Sequence, residues 1–332
     1  MPTDYVLFNH GVSTRGVRPD ATYADPLFDL IQNNYHSAPG RTLKKIVLYW
    51  GDISAAEENR LLAIYRASPY WNQMWFRSIR ETVLLQSIGD IALYLSRSIG
   101  ARIADRLQQQ TLAGLKGFDP KEDRLHLVSH SLGTIILFDI LFSARWDSPG
   151  SPGYASVETL RNLLFGLGLT PDSGIVVGSV TTMGSPLGFF SLIDVDQSTE
   201  NKLDGTGDLL NAHDITPRVE KLLLSLYREL GMKLPWYNFM HPGDPIATPL
   251  AQLLPDLVDK DHRYIDIQDI LIPPMGLVED LANLVSQWPP TILVGLETHN
   301  EYFERNDVAQ RIAQVIEKAS QPLAVATDLY QV

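Results

Sequence analysis

Two rhythms of hydrophobic and polar positions run through the chain. Residues 5–8 (YVLF), 45–50 (KIVLYW), 125–129 (LHLVS) and 174–183 (GIVVGSVTTM) are short, nearly continuous apolar runs closed by polar or turn-forming residues. Such runs read as buried strands. Residues 236–240 (WYNFM), 263–267 and 291–296 add three further strand-like runs. Between them, 20–37, 89–112, 208–233 and 305–319 carry the spacing of helices with one apolar face, and 157–167 reads as another. Strands separated by helical returns predict a mostly parallel sheet with crossover helices on both faces.

The pattern is sharpest over residues 125–142, LHLVSHSLGTIILFDILF. A strand to Ser129 runs into a strongly apolar helix from Leu132, with His130-Ser131 between them and no room for a relaxed loop. A strand that turns straight into a helix around a serine is the setting of a nucleophile elbow, which raises that side chain on a strained apex. The turn needs small residues two before and two after the serine. Gly133 meets that need fully, and Ser129 meets it by small size.

Two stretches depart from the strand–helix rhythm. Residues 54–117 form a long, mostly helical excursion containing PYWNQMWF at 69–76. That aromatic bulk could line an acyl pocket or touch lipid, but packed core is the plainer reading. Residues 190–235 read as a lid or cap inserted into a single domain that spans 1–332.

Composition narrows the class. Apolar residues make up 45% and charged residues 20% of the 332, as in ordinary globular proteins. The net charge of −12, from 27 basic and 39 acidic residues, argues against nucleic acid or an anionic membrane as main partner. Without cysteine there is no disulfide scaffold, thiolate metal site or cysteine nucleophile. The amino terminus lacks a basic region followed by an apolar stretch, and no apolar run matches a bilayer. The expectation is a soluble cytoplasmic protein with no integral membrane association.

A serine hydroxyl becomes a nucleophile only beside a positioned base, and that base needs an acceptor on its other nitrogen. Asp244 follows the 236–240 run in a tight turn, HPGDP, where an acid projects from a sheet edge. A histidine later in the chain is His262 or His299. His262 lies in the charged turn DKDHR, the plainer setting for a solvated side chain. His299 lies in a loop before the last helix, which suits a base reaching back across the sheet. A metal site from His241, Asp244 and His299 lacks a tight ligand spacing. Near the start, the first strand runs into Asn9-His10-Gly11-Val12, where Gly11 would let backbone approach a substrate and the Val12 N–H could face a developing oxyanion.

These segments together resemble the α/β-hydrolases of the bacterial lipase-like and esterase-like kind. The segments are Phe8-Asn9-His10-Gly11-Val12, Tyr49-Trp50-Gly51-Asp52, Ser129-His130-Ser131-Leu132-Gly133, Met183-Gly184-Ser185-Pro186-Leu187, Trp236-Tyr237-Asn238 with Asp244-Pro245-Ile246, and Thr298-His299-Asn300-Glu301-Tyr302. The resemblance implies the α/β-hydrolase fold with Ser131 as nucleophile, Asp244 as acid and His299 as base. It also implies an oxyanion hole from the Val12 and Leu132 amides and substrate contacts at Gly11, His130 and Trp50. The implied activity is cleavage of a small-molecule ester or acyl substrate with no cofactor and no metal. A thioesterase, amidase or acyltransferase would use the same residues, and a non-catalytic binding module is the rival from another class. The sequence leaves the oligomeric state open.

Overall fold

The expected strands pair side by side. The structure, a computed structural model, describes residues 1–14, 21–36, 40–166, 174–191, 215–273 and 298–320, apart from the side chains of 82–84. Within these residues the strands β1 (Thr3–Asn9), β2 (Thr42–Leu48), β3 (Arg124–His130), β4 (Val176–Met183), β5 (Leu234–Met240) and β6 (Ile265–Leu271) form one sheet in the order β2-β1-β3-β4-β5-β6. Every pairing is parallel. The chain starts at β1, steps outward to β2, then crosses back to β3 on the other side. Strand order therefore reverses between β1 and β3, the place where open α/β sheets leave a crevice at their carboxyl ends.

Side-chain alternation divides the core in two. Tyr5 and Leu7 of β1 face one layer, which holds Ile103 and Leu107 of α4 (Arg97–Gly114), the large apolar residues of α5 (Leu132–Phe142), Val157 and Leu160 of α6 (Tyr154–Leu164), and Leu222 and Leu226 of α7 (Val219–Leu230). Val6 and Phe8 face the other, against Leu27 and Ile31 of α1 (Asp25–Asn34) and Val308 and Ile312 of α9 (Asn306–Ala319). Every residue of α5 is buried, as an all-round apolar helix requires. The register sets Asn9 beside Ser129 and His130 beside Met183, so the loops leaving β1, β3 and β4 emerge together.

The excursion after β2 resolves into α2 (Gly51–Ala67), a π-helical stretch Arg80–Ile88 running into α3 (Gly89–Leu95), and α4, which is the crossover back to the sheet. The aromatic cluster within it is not packed core. Tyr70, Trp75 and Phe76 are 69%, 79% and 69% exposed, because the short segment carrying them lies outside both core layers.

Of the expected lid, 192–214 (His213 included) lies outside the described residues, as does the expected strand at 291–296. Residues 219–230 form α7, a crossover helix seated on β4 and β5 by Leu222, Leu223 and Leu226. The strand expected at 263–267 begins at Ile265 and runs to Leu271. Asp259 accepts the backbone N–H groups of Arg263, Tyr264 and Ile265, at 2.9 Å each, which holds the preceding turn closed after α8 (Leu253–Val258). Among the described residues no helix is long and apolar enough to cross a membrane.

Candidate active site

Ser131 sits between the last residue of β3 and the first of α5 with φ +53° and ψ −130°. That is a conformation a side chain other than glycine rarely adopts, and it is held on all sides. The Ser131 N–H donates to the Met183 carbonyl at 3.0 Å, extending the β3–β4 ladder by one residue. The Ser131 carbonyl accepts from both the amide of Thr134 (2.9 Å) and its hydroxyl (2.7 Å), starting α5 at once. An N-terminal helix turn beneath a serine supplies unpaired N–H groups where negative charge can develop.

The loop after β1 abuts this turn with no space to spare. A Cβ on Gly133 would lie 2.5 Å from the His10 carbonyl oxygen and 2.7 Å from that of Asn9. A Cβ on Gly11 would lie 2.5 Å from the Cβ of Ser131. Asn9 ties the two turns together, its Nδ2 donating to the Gly133 carbonyl at 2.9 Å while its Oδ1 accepts from the Trp50 indole at 3.1 Å. The His10 ring stacks on Trp50 with centroids 4.5 Å apart. It accepts the Trp50 amide on Nε2 and bonds the Gly11 carbonyl through Nδ1 at 2.7 Å, so its neutral tautomer is fixed.

Asp244 and His299 meet above the end of β4. His299 Nδ1 is 2.8 Å from Asp244 Oδ2, and both side chains are buried. The Tyr302 hydroxyl donates to the same oxygen at 2.7 Å and accepts the His241 amide at 2.9 Å. Asp244 Oδ1 accepts the amide of Ile246 at 2.9 Å. Burial raises the Asp244 carboxyl, but the His299 hydrogen bond, the Ile246 amide and the Tyr302 hydroxyl outweigh it and hold the pKa below the usual carboxylate value. Burial, and then the neighbouring Asp244 carboxylate, push the Tyr302 phenol well above its ordinary value. Gly184 makes room for the pair: at φ +55°, a Cβ there would lie 2.8 Å from both Asp244 Oδ2 and His299 Cε1. The outer His299 nitrogen, Nε2, is buried with no hydrogen-bond partner among the described residues.

A strained serine at the carboxyl end of β3, an acid after β5 and a histidine before α9 stand in the chain order and sheet positions of one known architecture. The strand order, the all-parallel pairing and the strained turn after β3 are those of the α/β-hydrolase fold. No family model matches the chain, and no curated protein matches it. Among solved structures, ClbQ from the colibactin NRPS/PKS pathway aligns at 11% identity and a TM-score of 0.37, covering 96% of this chain and 98% of that one. An acetyl xylan esterase aligns at 11% identity and 0.33, covering 97% and 100%. The RedJ thioesterase of Streptomyces coelicolor aligns at 12% and 0.31, covering 96% and 85%. Likenesses this remote do not bear on the site, whose chemistry rests on its own geometry.

Other expected residues take supporting places. Trp50 is fully buried behind the loop after β1, where its indole holds Asn9 and its ring stacks on His10. His130 is buried too, its Nε2 donating to the His299 carbonyl at 2.6 Å, so it anchors the loop that carries the base. Burial, and then the nearby His299 ring, push the His130 pKa down to about 3, which keeps the ring neutral. His262 is exposed in the turn before β6, at the amino ends of the strands and away from Ser131. Among the described residues no three His, Asp or Glu side chains are grouped to hold a metal ion. Tyr302 and Asn9 were not singled out by sequence reasoning; their roles depend on contacts 58 and 124 residues away.

Two measurements test this geometry. Gly133→Ala is expected to cost about 2 kcal/mol or more, since its Cβ meets backbone and not a movable side chain, as read by urea unfolding. Between pH 3 and 6.5 the unfolded chain binds a proton at residue 130 that the folded chain refuses. The stability from the neutral ring is therefore complete above about pH 6.5 and lost as pH falls toward 3. His130→Gln, which keeps a donor for the His299 carbonyl, is expected to flatten the fall of the unfolding temperature across that window.

Proposed function

We propose that the chain is a serine hydrolase that cleaves a carboxylic ester through an acyl-enzyme on Ser131. The observation that carries this reading is the state of His299. One ring nitrogen is held by Asp244 while the other, buried beside the elbow end of the sheet, has no protein partner among the described residues. That arrangement suits a base awaiting a hydroxyl proton.

In the first step Ser131 Oγ attacks the ester carbonyl carbon and its proton passes to His299 Nε2. Asp244 holds the imidazole in the tautomer that bears hydrogen on Nδ1 and stabilises the cation that forms. The oxyanion is taken up by the amides of Val12 and Leu132, one on each of the two abutting turns. The intermediate collapses, the C–O bond to the alcohol breaks, and His299 returns the proton to the departing oxygen. Water, deprotonated by His299, then attacks the acyl-enzyme and releases the acid, with the proton restored to Ser131. No step needs a metal or organic cofactor. Tyr302 acts as a positioning residue by fixing the Asp244 oxygen that faces His299. The same groups would serve a thioester, an amide or an acyl acceptor other than water, because a triad fixes the nucleophile and not the leaving group.

Intact mass after incubation with a small organophosphonate is expected to show a single adduct on the wild type and none on Ser131→Ala. Turnover of short aryl esters is expected to fall roughly 10³-fold or more in Ser131→Ala and in His299→Ala. A folded wild type that takes no adduct would sink the hydrolase reading in favour of a binding module. Tyr302→Phe removes a hydrogen bond to a carboxylate and is expected to lower kcat about tenfold with KM little changed.

A further inference from the structure

The excursion between β2 and β3 shapes a half-open groove of about 540 Å³, lined by none of the residues proposed for the reaction. Its size is that of a site for one small ligand. The walls are mostly apolar: Leu61 and Tyr65 of α2, Trp71 and Met74 of the aromatic segment, and Leu85 and Ile88 of the π-helical stretch. Tyr65 and Trp71 stack with centroids 5.7 Å apart, giving one flat, rigid wall. Met74 adds an adaptable one.

Charge makes this cavity distinctive. Residues 60–80 contain Arg60, Arg66, Arg77 and Arg80 and no aspartate or glutamate, in a chain whose net charge is −12. Arg60 and Arg66 are satisfied by Glu57 and Glu81 from outside that stretch. Arg77 donates to the Asn72 side chain at 2.8 Å. Arg80 lines the cavity and donates through Nε to the Trp75 carbonyl at 3.1 Å, while its two terminal nitrogens have no protein partner among the described residues. A guanidinium edge of this kind, set in an apolar wall, matches a carboxylate at the end of a hydrocarbon chain.

The cavity and the reactive serine lie on opposite sides of one helical element. Leu85, Ile88, Gly89 and Ala92 follow the three- and four-residue spacing of a single face and line the cavity. Ser87, Asp90 and Tyr94 take the reverse face. Asp90 accepts the Ser13 amide at 2.9 Å, Ser87 and Ser13 share a hydroxyl hydrogen bond at 3.2 Å, and Tyr94 donates to Asp139 of α5 at 2.9 Å. Ser13 has φ +59° and directly follows Val12. The element that walls the cavity thus also holds the loop beside Ser131.

We propose that this cavity binds a free fatty-acid anion, with its chain among Leu61, Met74, Leu85 and Ile88 and its carboxylate on Arg80, at a site separate from Ser131. The proposal goes beyond the hydrolase reading and does not need it. The Arg80 guanidinium in the cavity wall favours a single acid over a lipid surface, and binding of the protein to neutral phosphatidylcholine vesicles that Arg80→Gln leaves unchanged would overturn the proposal.

The test titrates the full-length protein with cis-parinaric acid, a naturally fluorescent fatty acid, using wild type and Ser131→Ala. Saturable one-site binding of equal affinity to both is expected, and to wild type already blocked on Ser131 by a small phosphonate. Ala92→Phe places bulk in the cavity from an exposed position and is expected to weaken binding roughly tenfold or more through lost apolar contact. Arg80→Gln is expected to weaken the acid roughly tenfold while the corresponding fatty alcohol, measured by competition, changes less than about twofold. Unfolding temperatures near wild type for both variants show that they fold. No saturable binding, binding untouched by Ala92→Phe, or equal loss of acid and alcohol in Arg80→Gln would overturn the proposal. So would exclusion by the phosphonate, which would make the cavity part of the reactive site. Failure of Ser131 to react with phosphonate would sink the hydrolase reading while leaving the binding result intact.

Discussion

The site depends on two backbone turns that touch. At the carboxyl ends of β1 and β3 the chain must leave the sheet twice within a few ångströms, and both exits are sealed by glycine. Gly133 lies under the carbonyls of Asn9 and His10, and Gly11 lies against Ser131 itself. Contact this close is possible only where no Cβ intervenes, and it converts strand order into chemistry. The sheet reverses its winding between β1 and β3. The crevice that reversal creates is filled by peptide groups instead of side chains. The amides proposed to take up the oxyanion, those of Val12 and Leu132, belong one to each of these turns.

Such a junction has no apolar packing of its own at the point of contact, so its stability is borrowed from neighbours. Asn9 bridges the Gly133 carbonyl and the Trp50 indole, and Trp50 is fixed in turn by burial at the end of β2. On the far side, Tyr302 and the Ile246 amide hold Asp244, and His130 holds the loop of His299. Asp244 directly, and His299 through its loop, are thus held by hydrogen bonds from residues outside the proposed triad, in buried surroundings that make those bonds count. His130 shows the cost of this arrangement. It stays neutral because it is buried, and that same burial makes it a point where acid works against folding.

How much of this was legible in the sequence follows from the range of each interaction. The strand–Ser131–helix turn was readable because its signal is local: an apolar run, a serine, a glycine two residues on, and a second apolar run. Asp244 and His299 were readable as strand-end and loop residues and His262 as a solvated turn residue, and the structure adds that His262 lies at the amino ends of the strands. Tyr302, Asn9 and the supporting place of Trp50 were not readable, since nothing near them in sequence announces a partner scores of residues away. The helical spacing of 219–230 was plain, but spacing alone does not say whether a helix crosses over the sheet or covers a site. The aromatic run at 70–76 misled for a related reason. Bulk predicts burial only when some element is positioned to cover it, and here the run lies outside both core layers.

The two ends of the sheet divide the labour. At the amino end, Asp4 of β1 is fully buried and bonds Tyr35 after α1, Arg41 before β2 and Ser320 after α9. One carboxylate therefore gathers three chain segments where strands begin, with donors enough to satisfy it. At the carboxyl end the opposite holds: Ser131 sits in a strained conformation, and His299 Nε2 has no protein partner among the described residues. Strain and unmet hydrogen-bonding capacity persist only where surrounding structure over-determines them. A parallel sheet suits that division, because it places all its strand starts at one end and all its exits at the other. Polar satisfaction can be complete at the first end, leaving the second free to hold what a reaction requires.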